Sequence, residues 1–256
     1  MDYLKKNEKI WDKKVQDEYI WTQAVSTEEI KKAMKGQWKI VVTPIKAVPL
    51  EWFPEVIAGK DVLCLASGGG QQGPIMAALG ANVTVFDNSR SQLEQDIMVA
   101  ERDGLKINTV KGDMRDLSVF KDKSFDLIIH PWSNGYVDSV LPVWKESYWV
   151  LRNGGTLISG FGNPLEFIFD YKKLDEGEFH VRHKIPSSDL TSISEEELKE
   201  LVLDQGEGIC FGHTLEDQIK GQIDVGFLIA GFYEDIGGSA LDQYINSSIA
   251  TKAIKL

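Results

Sequence analysis

Residues 61–87 read DVLCLASGGGQQGPIMAALGANVTVFD. An apolar run, Val62–Ala66, ends in Ser67, Gly68, Gly69 and Gly70. A short helix-like segment, Pro74–Leu79, follows and Gly80 closes it. A second apolar run, Val83–Phe86, ends in Asp87. Strand, glycine turn, helix, strand and acid in this order form the pattern of a βαβ nucleotide-binding half. Glycine lacks Cβ, so the backbone can turn sharply and come close to a ligand. A carboxylate at the end of the second strand can accept hydrogen bonds from both hydroxyls of a ribose.

The chain around this stretch has 256 residues, enough for one sizeable core with an insertion or for two small domains. Its net charge is −11. Phosphate backbones attract basic surfaces, so nucleic acid is a poor partner for it. Apolar runs stay far short of the ~20 residues that span a bilayer, so no membrane partner is expected. The N-terminal residues carry lysines without an apolar stretch behind them and do not read as a secretory signal. The cytoplasm is the expected compartment. The two cysteines, Cys64 and Cys210, lie far apart and suggest neither a disulfide framework nor a metal site. Cys64 falls inside a buried strand, where it acts as a small core residue.

On the N-terminal side, residues 4–25 have helical spacing of apolar positions. Ser26 and Glu29 form a capping box for a second helix through Met34, which Gly36 ends. Two readings of Trp11, Tyr19 and Trp21 stand: aromatics packing on the body, or the lining of a lid over an active site. Prolines at 44, 49 and 54 make 37–60 an irregular connection. On the C-terminal side, Ser89 opens a helix through Arg102. Strands follow at Ile107–Val110, Phe125–His130 and Thr156–Phe161, with a helix over 137–151 between the last two. This alternation predicts a parallel sheet with helices on both faces. Residues 163–212 are polar, with strand-like pieces at 179–185 and 209–212 and a capped helix at 194–203. They read as an insertion beside the active-site edge. A helix at 214–223 precedes two apolar strands, Val225–Tyr233 and Ser248–Lys255, close enough to pair antiparallel.

With these segments in place the chain resembles the class I S-adenosylmethionine (SAM)-dependent methyltransferases. LASGGG at 65–70 matches the glycine motif, and Asp87 in VFDNS the ribose-binding acid. Asp113 in KGDMRDL matches the adenine-flanking acid. FDLIIHPWSN and LRNGG match the fourth-strand segment and the turn before the fifth strand. The resemblance implies an α/β, Rossmann-like, seven-stranded, mostly parallel sheet with an antiparallel terminal pair. It implies a single domain: an N-terminal helical cover (1–36), a SAM-binding core (37–162), an insertion over the substrate (163–212), and a C-terminal helix and strand pair (213–256). Two departures stand out. Cys64 takes the place of a first-strand acid, and Ala66 that of the first motif glycine. Alanine is expected to be a mild change there.

By this resemblance the expected cofactor contacts are Ala66, Ser67, Gly68, Gly69, Gly70, Gln71, Gln72, Asp87, Asn88, Asp113, Met114 and His130. The glycines bring backbone to the cofactor, Gln71 and Gln72 bond its carboxylate, and Met114 covers the adenine face. His130, at the carboxyl edge of the fourth strand, is also the candidate general base, or a shaper of the pocket. Trp132 and Asn134, with Trp11, Tyr19 and Trp21, are candidates to line the substrate pocket. His180, His183 and His213 show no metal-ligand spacing. The expected activity is methyl transfer from SAM, leaving S-adenosylhomocysteine, to a small-molecule acceptor by in-line displacement, from a monomer or homodimer. An NAD(P)-dependent oxidoreductase shares the turn and the acid but lacks a clean GxGxxG here. A non-catalytic SAM-binding sensor or partner subunit remains open, because Cys64 replaces the acid and no base is obvious.

Overall fold

A computed structural model describes residues 2–256. Strands β1 (Asp61–Leu65), β2 (Asn82–Asp87), β3 (Ile107–Lys111), β4 (Phe125–His130), β5 (Leu151–Gly162), β6 (Phe227–Asp235) and β7 (Ser248–Lys255) form one sheet of order β3-β2-β1-β4-β5-β7-β6. The first five are parallel, and β7 pairs antiparallel with both β5 and β6. The strand order reverses direction between β1 and β4, and ligands of open α/β sheets sit at such a switch point, outside the carboxyl ends of the strands.

Alternation along β1 explains its apolar sequence. Val62 and Cys64 face one core, with Met76 of helix α3 (Gln72–Ala78) and Leu93 and Val99 of helix α4 (Arg90–Asp103). Leu63 and Leu65 face the other core, with Leu117 and with Val143 and Trp144 of helix α5 (Leu141–Val150). A strand covered on both faces has no polar position to offer. Each of these fully buried leucines contributes about 1.5–3 kcal/mol relative to exposure.

Several elements differ from the sequence-based expectation. The first helix, α1 (Tyr3–Gln16), stops nine residues early. Glu18 takes a positive φ of 53°, and a 3₁₀ turn at Ile20–Thr22 follows. The capping box of α2 (Thr27–Ala33) forms as expected. Strand β5 begins at Leu151, so the Asn153–Gly155 turn becomes an irregularity inside it, where its register with β4 shifts. In the insertion, 179–185 is not a strand; Val181 makes a single bridge to Phe169. Residues 198–203 and 216–220 are wound as π-helix, within the segments expected to be helical.

One crossing shapes the ligand edge. Residues 41–44 lie across β5, and the Trp132 N–H donates to the Val42 carbonyl at 3.1 Å. The approach is so close that a Cβ at Gly160 would sit 1.9 Å from the Val42 oxygen. Only glycine lets β5 pass beneath this segment.

Candidate active site

A cavity of about 500 Å³ opens at the carboxyl edge of the sheet, within the range of small-molecule sites. Its floor is the chain leaving β1 (Ala66, Ser67, Gly68), β2 (Asp87, Asn88), β3 (Gly112, Asp113, Met114) and β4 (Pro131, Trp132, Ser133). Its walls are Leu4, Asn7 and Trp11 of α1, then Tyr19 and Trp21, residues 41–44, and Glu166, Glu207 and Cys210 of the insertion.

Asp87 sits where β2 ends. Its Oδ2 accepts from the Gly68 N–H and its Oδ1 from the Ser89 N–H, each at 2.9 Å. A carboxylate has about four lone-pair positions, so two remain for a ligand diol. Burial raises the Asp87 pKa, and the backbone donors oppose that shift. Gly68 is required for this approach: a Cβ there would lie 2.6 Å from Gln92 Cβ and 3.2 Å from the Asp87 carboxylate. Asp113 is gripped by Arg115, whose Nη2 donates to Oδ2 at 2.7 Å and whose backbone N–H donates to Oδ1 at 3.0 Å. Met114 is buried beside Phe86 and borders the cavity.

The structure corrects several expectations. His130 does not line the cavity. It is fully buried, with Nδ1 2.9 Å from the Leu65 carbonyl and Nε2 2.6 Å from Asn134 Oδ1. Both ring nitrogens are engaged by protein atoms inside the core, so neither faces a substrate, and burial lowers the pKa. His130 is a strut between β1 and the following loop. Asn134 lies beneath the cavity with it, donating to Gln218 at 2.8 Å. Gly69 and Gly70 also turn away from the cavity: the Gly69 N–H donates to the Gln92 carbonyl, and the Gly70 N–H to Asp96. The Gln71 amide donates to the Trp21 and Gln23 carbonyls, which uses both its hydrogens. Gln72 accepts from Ser67 and donates to Val41. Both glutamines border the cavity as side chains tied to protein. Ala66 is not a mild change. Its φ is 46°, the left-handed region, which costs a Cβ-bearing residue about 1–2 kcal/mol. Among the described residues, no cluster of three or more potential metal ligands exists.

Two acidic groups with raised pKa values escape a reading of the sequence. Asp96, on α4, is fully buried beneath the glycine turn. Its Oδ2 holds the Gly70 N–H at 3.1 Å and its Oδ1 has no partner. Burial foremost pushes its pKa up to about 8. Glu166, just past β5, lines the cavity, and burial with the nearby Asp242 charge pushes it up to about 7.

Contacts across the cavity tie its walls together. Asn7 exchanges hydrogen bonds with the backbone of Ile209 at 2.8 and 3.0 Å. Lys14 pairs with Glu207 at 2.9 Å and lies over the Tyr19 ring. Asp12 accepts from the Ser89 hydroxyl and the Ser91 N–H, and Asn88 donates to the Leu4 carbonyl.

Comparison with known proteins accords with this geometry. A methyltransferase-domain family model matches residues 63–159, from β1 to β5. An uncharacterized methyltransferase, YbaJ of Bacillus subtilis (strain 168), is 57% identical over 250 residues, 98% of this chain and 97% of that protein. The chain belongs to the class I SAM-dependent methyltransferases. Crystal structures of a SAM-dependent methyltransferase from Mesorhizobium loti and a putative one from Listeria monocytogenes share the fold. Their TM-scores are 0.62 and 0.61 at 17% and 20% identity, each covering 80% of this chain and 94% of its own. The cofactor of this methyltransferase is SAM, and the residues present fit it. SAM carries a sulfonium and an ammonium; Asp87 and Asp113 line the cavity where β2 and β3 end, and, among the described residues, no lysine, arginine or histidine lines it. Among the described residues, no helix is long and apolar enough to cross a membrane.

Proposed function

We propose that the protein methylates a small-molecule acceptor and that it does so chiefly by positioning. The observation that carries this reading is the enclosure of the cavity. Residue 4, the aromatics at 11, 19 and 21, segment 41–44 and the insertion wall it from several sides. A recess of about 500 Å³ walled in this way is of small-molecule size, and the chain's net charge of −11 disfavours nucleic acid.

In this reading Asp87 takes the ribose diol with its two unused lone pairs. Asp113, fixed by Arg115, faces the adenine edge, and Met114 with Phe86 covers the ring. Bound SAM supplies an electrophilic methyl group on a sulfonium. The protein's share is to orient the acceptor in line and to exclude water, and orientation of this kind is worth several kcal/mol of barrier. Residues 2–36 and 163–212 form the cover that excludes water, joined through Asn7–Ile209 and Lys14–Glu207.

Calorimetric titration with SAM, S-adenosylhomocysteine, NAD and NADP tests the cofactor assignment. Micromolar binding of the first pair alone is expected. A screen of small acceptors with methyl-labelled SAM then tests transfer. Labelling of RNA or protein in preference to every small molecule would overturn the acceptor class.

A further inference from the structure

We propose that the acceptor end of the cavity is a subsite for a basic amine, held as its cation between the Glu166 carboxylate and the Trp132 indole. The inference rests on the reading that this cavity takes the acceptor. Its geometric basis is a shared position. A Cβ built on Gly162 would lie 2.8 Å from Trp132 Cζ2 and 3.3 Å from Glu166 Oε2. Carboxylate and ring edge thus stand side by side over one Cα, at the end of β5. The Trp132 ring is held there by its Nε1–H, which donates to Ser248 at 3.2 Å. Asp87 is three strands away along the edge, roughly 14 Å at ~4.8 Å per strand. The pair is therefore at the opposite end from the ribose acid.

The charges around the cavity point the same way. Asp113 has Arg115, Glu207 has Lys14, and Asp87 has two backbone N–H donors. Glu166 has no counter-charge: among the described residues no lysine, arginine or histidine lies within ion-pair distance of it. The charge that faces it is Asp242, and that carboxylate is already occupied by the Ser247 hydroxyl and the Gly237 and Gly238 N–H groups. A half-buried acid beside a second acid is unfavourable until a cation arrives, which is why its proton is held up to about pH 7. An anionic acceptor would meet repulsion with nothing to offset it. An ammonium would meet a carboxylate beside an aromatic ring, the pair of groups that recognises organic cations.

The test is a binding titration with three probes that share a phenyl ring and differ in charge: benzylamine, benzyl alcohol and benzoate. Each is titrated by calorimetry with and without saturating S-adenosylhomocysteine. Benzylamine is expected to bind at least about tenfold more tightly than benzoate. Glu166→Gln should remove that preference while S-adenosylhomocysteine binds within about twofold of the parent. Trp132→Phe keeps a ring with a weaker face and should lower benzylamine affinity several-fold with benzyl alcohol unchanged, which serves if Glu166→Gln does not fold. Benzoate binding as well as benzylamine, or a preference that survives both substitutions, would overturn the subsite. Amine preference without S-adenosylhomocysteine binding would uphold the subsite and sink the functional reading. S-adenosylhomocysteine binding without amine preference would do the reverse.

Discussion

Asp96→Asn is the substitution whose effect can be worked out most fully. Asp96 has a folded pKa of about 8, raised chiefly by burial, against ~3.9 in an unfolded chain. Between those values the folded state keeps a proton that the unfolded state has lost. Folding stability therefore falls as pH rises through that window, and the loss is complete above pH ~8. About four pH units at ~1.36 kcal/mol each set a ceiling near 5 kcal/mol. Local relaxation and water penetration around the ionised carboxyl leave roughly 2–4 kcal/mol. Asparagine has the same shape, no charge, and an oxygen for the Gly70 N–H. At roughly 2–4 °C per kcal/mol for a chain of this size, the variant should melt roughly 4–16 °C above the parent at pH 9. Near pH 3.5, where the carboxyl is protonated in the folded and the unfolded chain alike, the two should nearly coincide. Glu166 also has a raised value, but it is present in both proteins and cancels in the difference; Asp87, whose charge helps raise Asp96, titrates as part of the same effect. Thermal melts by circular dichroism from about pH 3.5 to 9 would measure it. Parallel curves for parent and variant would show that the carboxyl is not held neutral beneath the turn.

Other outcomes follow from the site. Asp87→Ala should weaken S-adenosylhomocysteine binding at least about tenfold by calorimetry, since hydrogen bonds to a charged group are worth ~1.5–3 kcal/mol each. Unchanged affinity would misplace the ribose. His130→Ala strands the Leu65 carbonyl and should lower stability by about 2–3 kcal/mol. The shape of the pH–rate profile should stay the same; loss of an ionisation from it would restore the histidine as a base. Gly160→Ala must displace segment 41–44 and should cost about 2–3 kcal/mol, visible as a melt lowered by roughly 5–10 °C. A wild-type melt would mean the crossing is looser than 1.9 Å allows.

The parts of this protein legible in its sequence are those fixed by neighbours in the chain. The β1–turn–α3–β2–Asp87 run is local, and every step has its own residue signal. So are the caps at Ser26 and Ser89. The parts that escaped depend on distant segments. His130 was correctly placed at a strand end, but successive strand residues face opposite sides. Its ring lies on the side of Trp144 and within reach of Leu65 and Asn134, and the register that decides this is not in the local pattern. Glu166 sits in a polar stretch with no motif. Its neighbours Asp242 and Ser247 come from the loop before β7, more than seventy residues later. Asp96 reads as an ordinary helical polar residue until α4 is laid against the glycine turn. The left-handed Ala66 follows from the turn's path over the β2 end, where its N–H donates to the Phe86 carbonyl at 2.7 Å.

The bonds between α1 and the insertion have a consequence for how the protein is made. Asn7 meets Ile209 across 202 residues of chain, and Lys14 meets Glu207 across 193. At ~5–20 residues per second of synthesis, the first helix waits on the order of ten to forty seconds for its partners. During that time Trp11 and the other wall residues of the N-terminal segment have no far wall to close against. The cavity is thus among the last features to exist, and the ribosome must release nearly the whole chain before the protein can sequester a ligand. A nascent chain halted inside the insertion would carry Asp87, the turn and the sheet from β1 to β5, yet hold an open groove where the finished protein has a chamber.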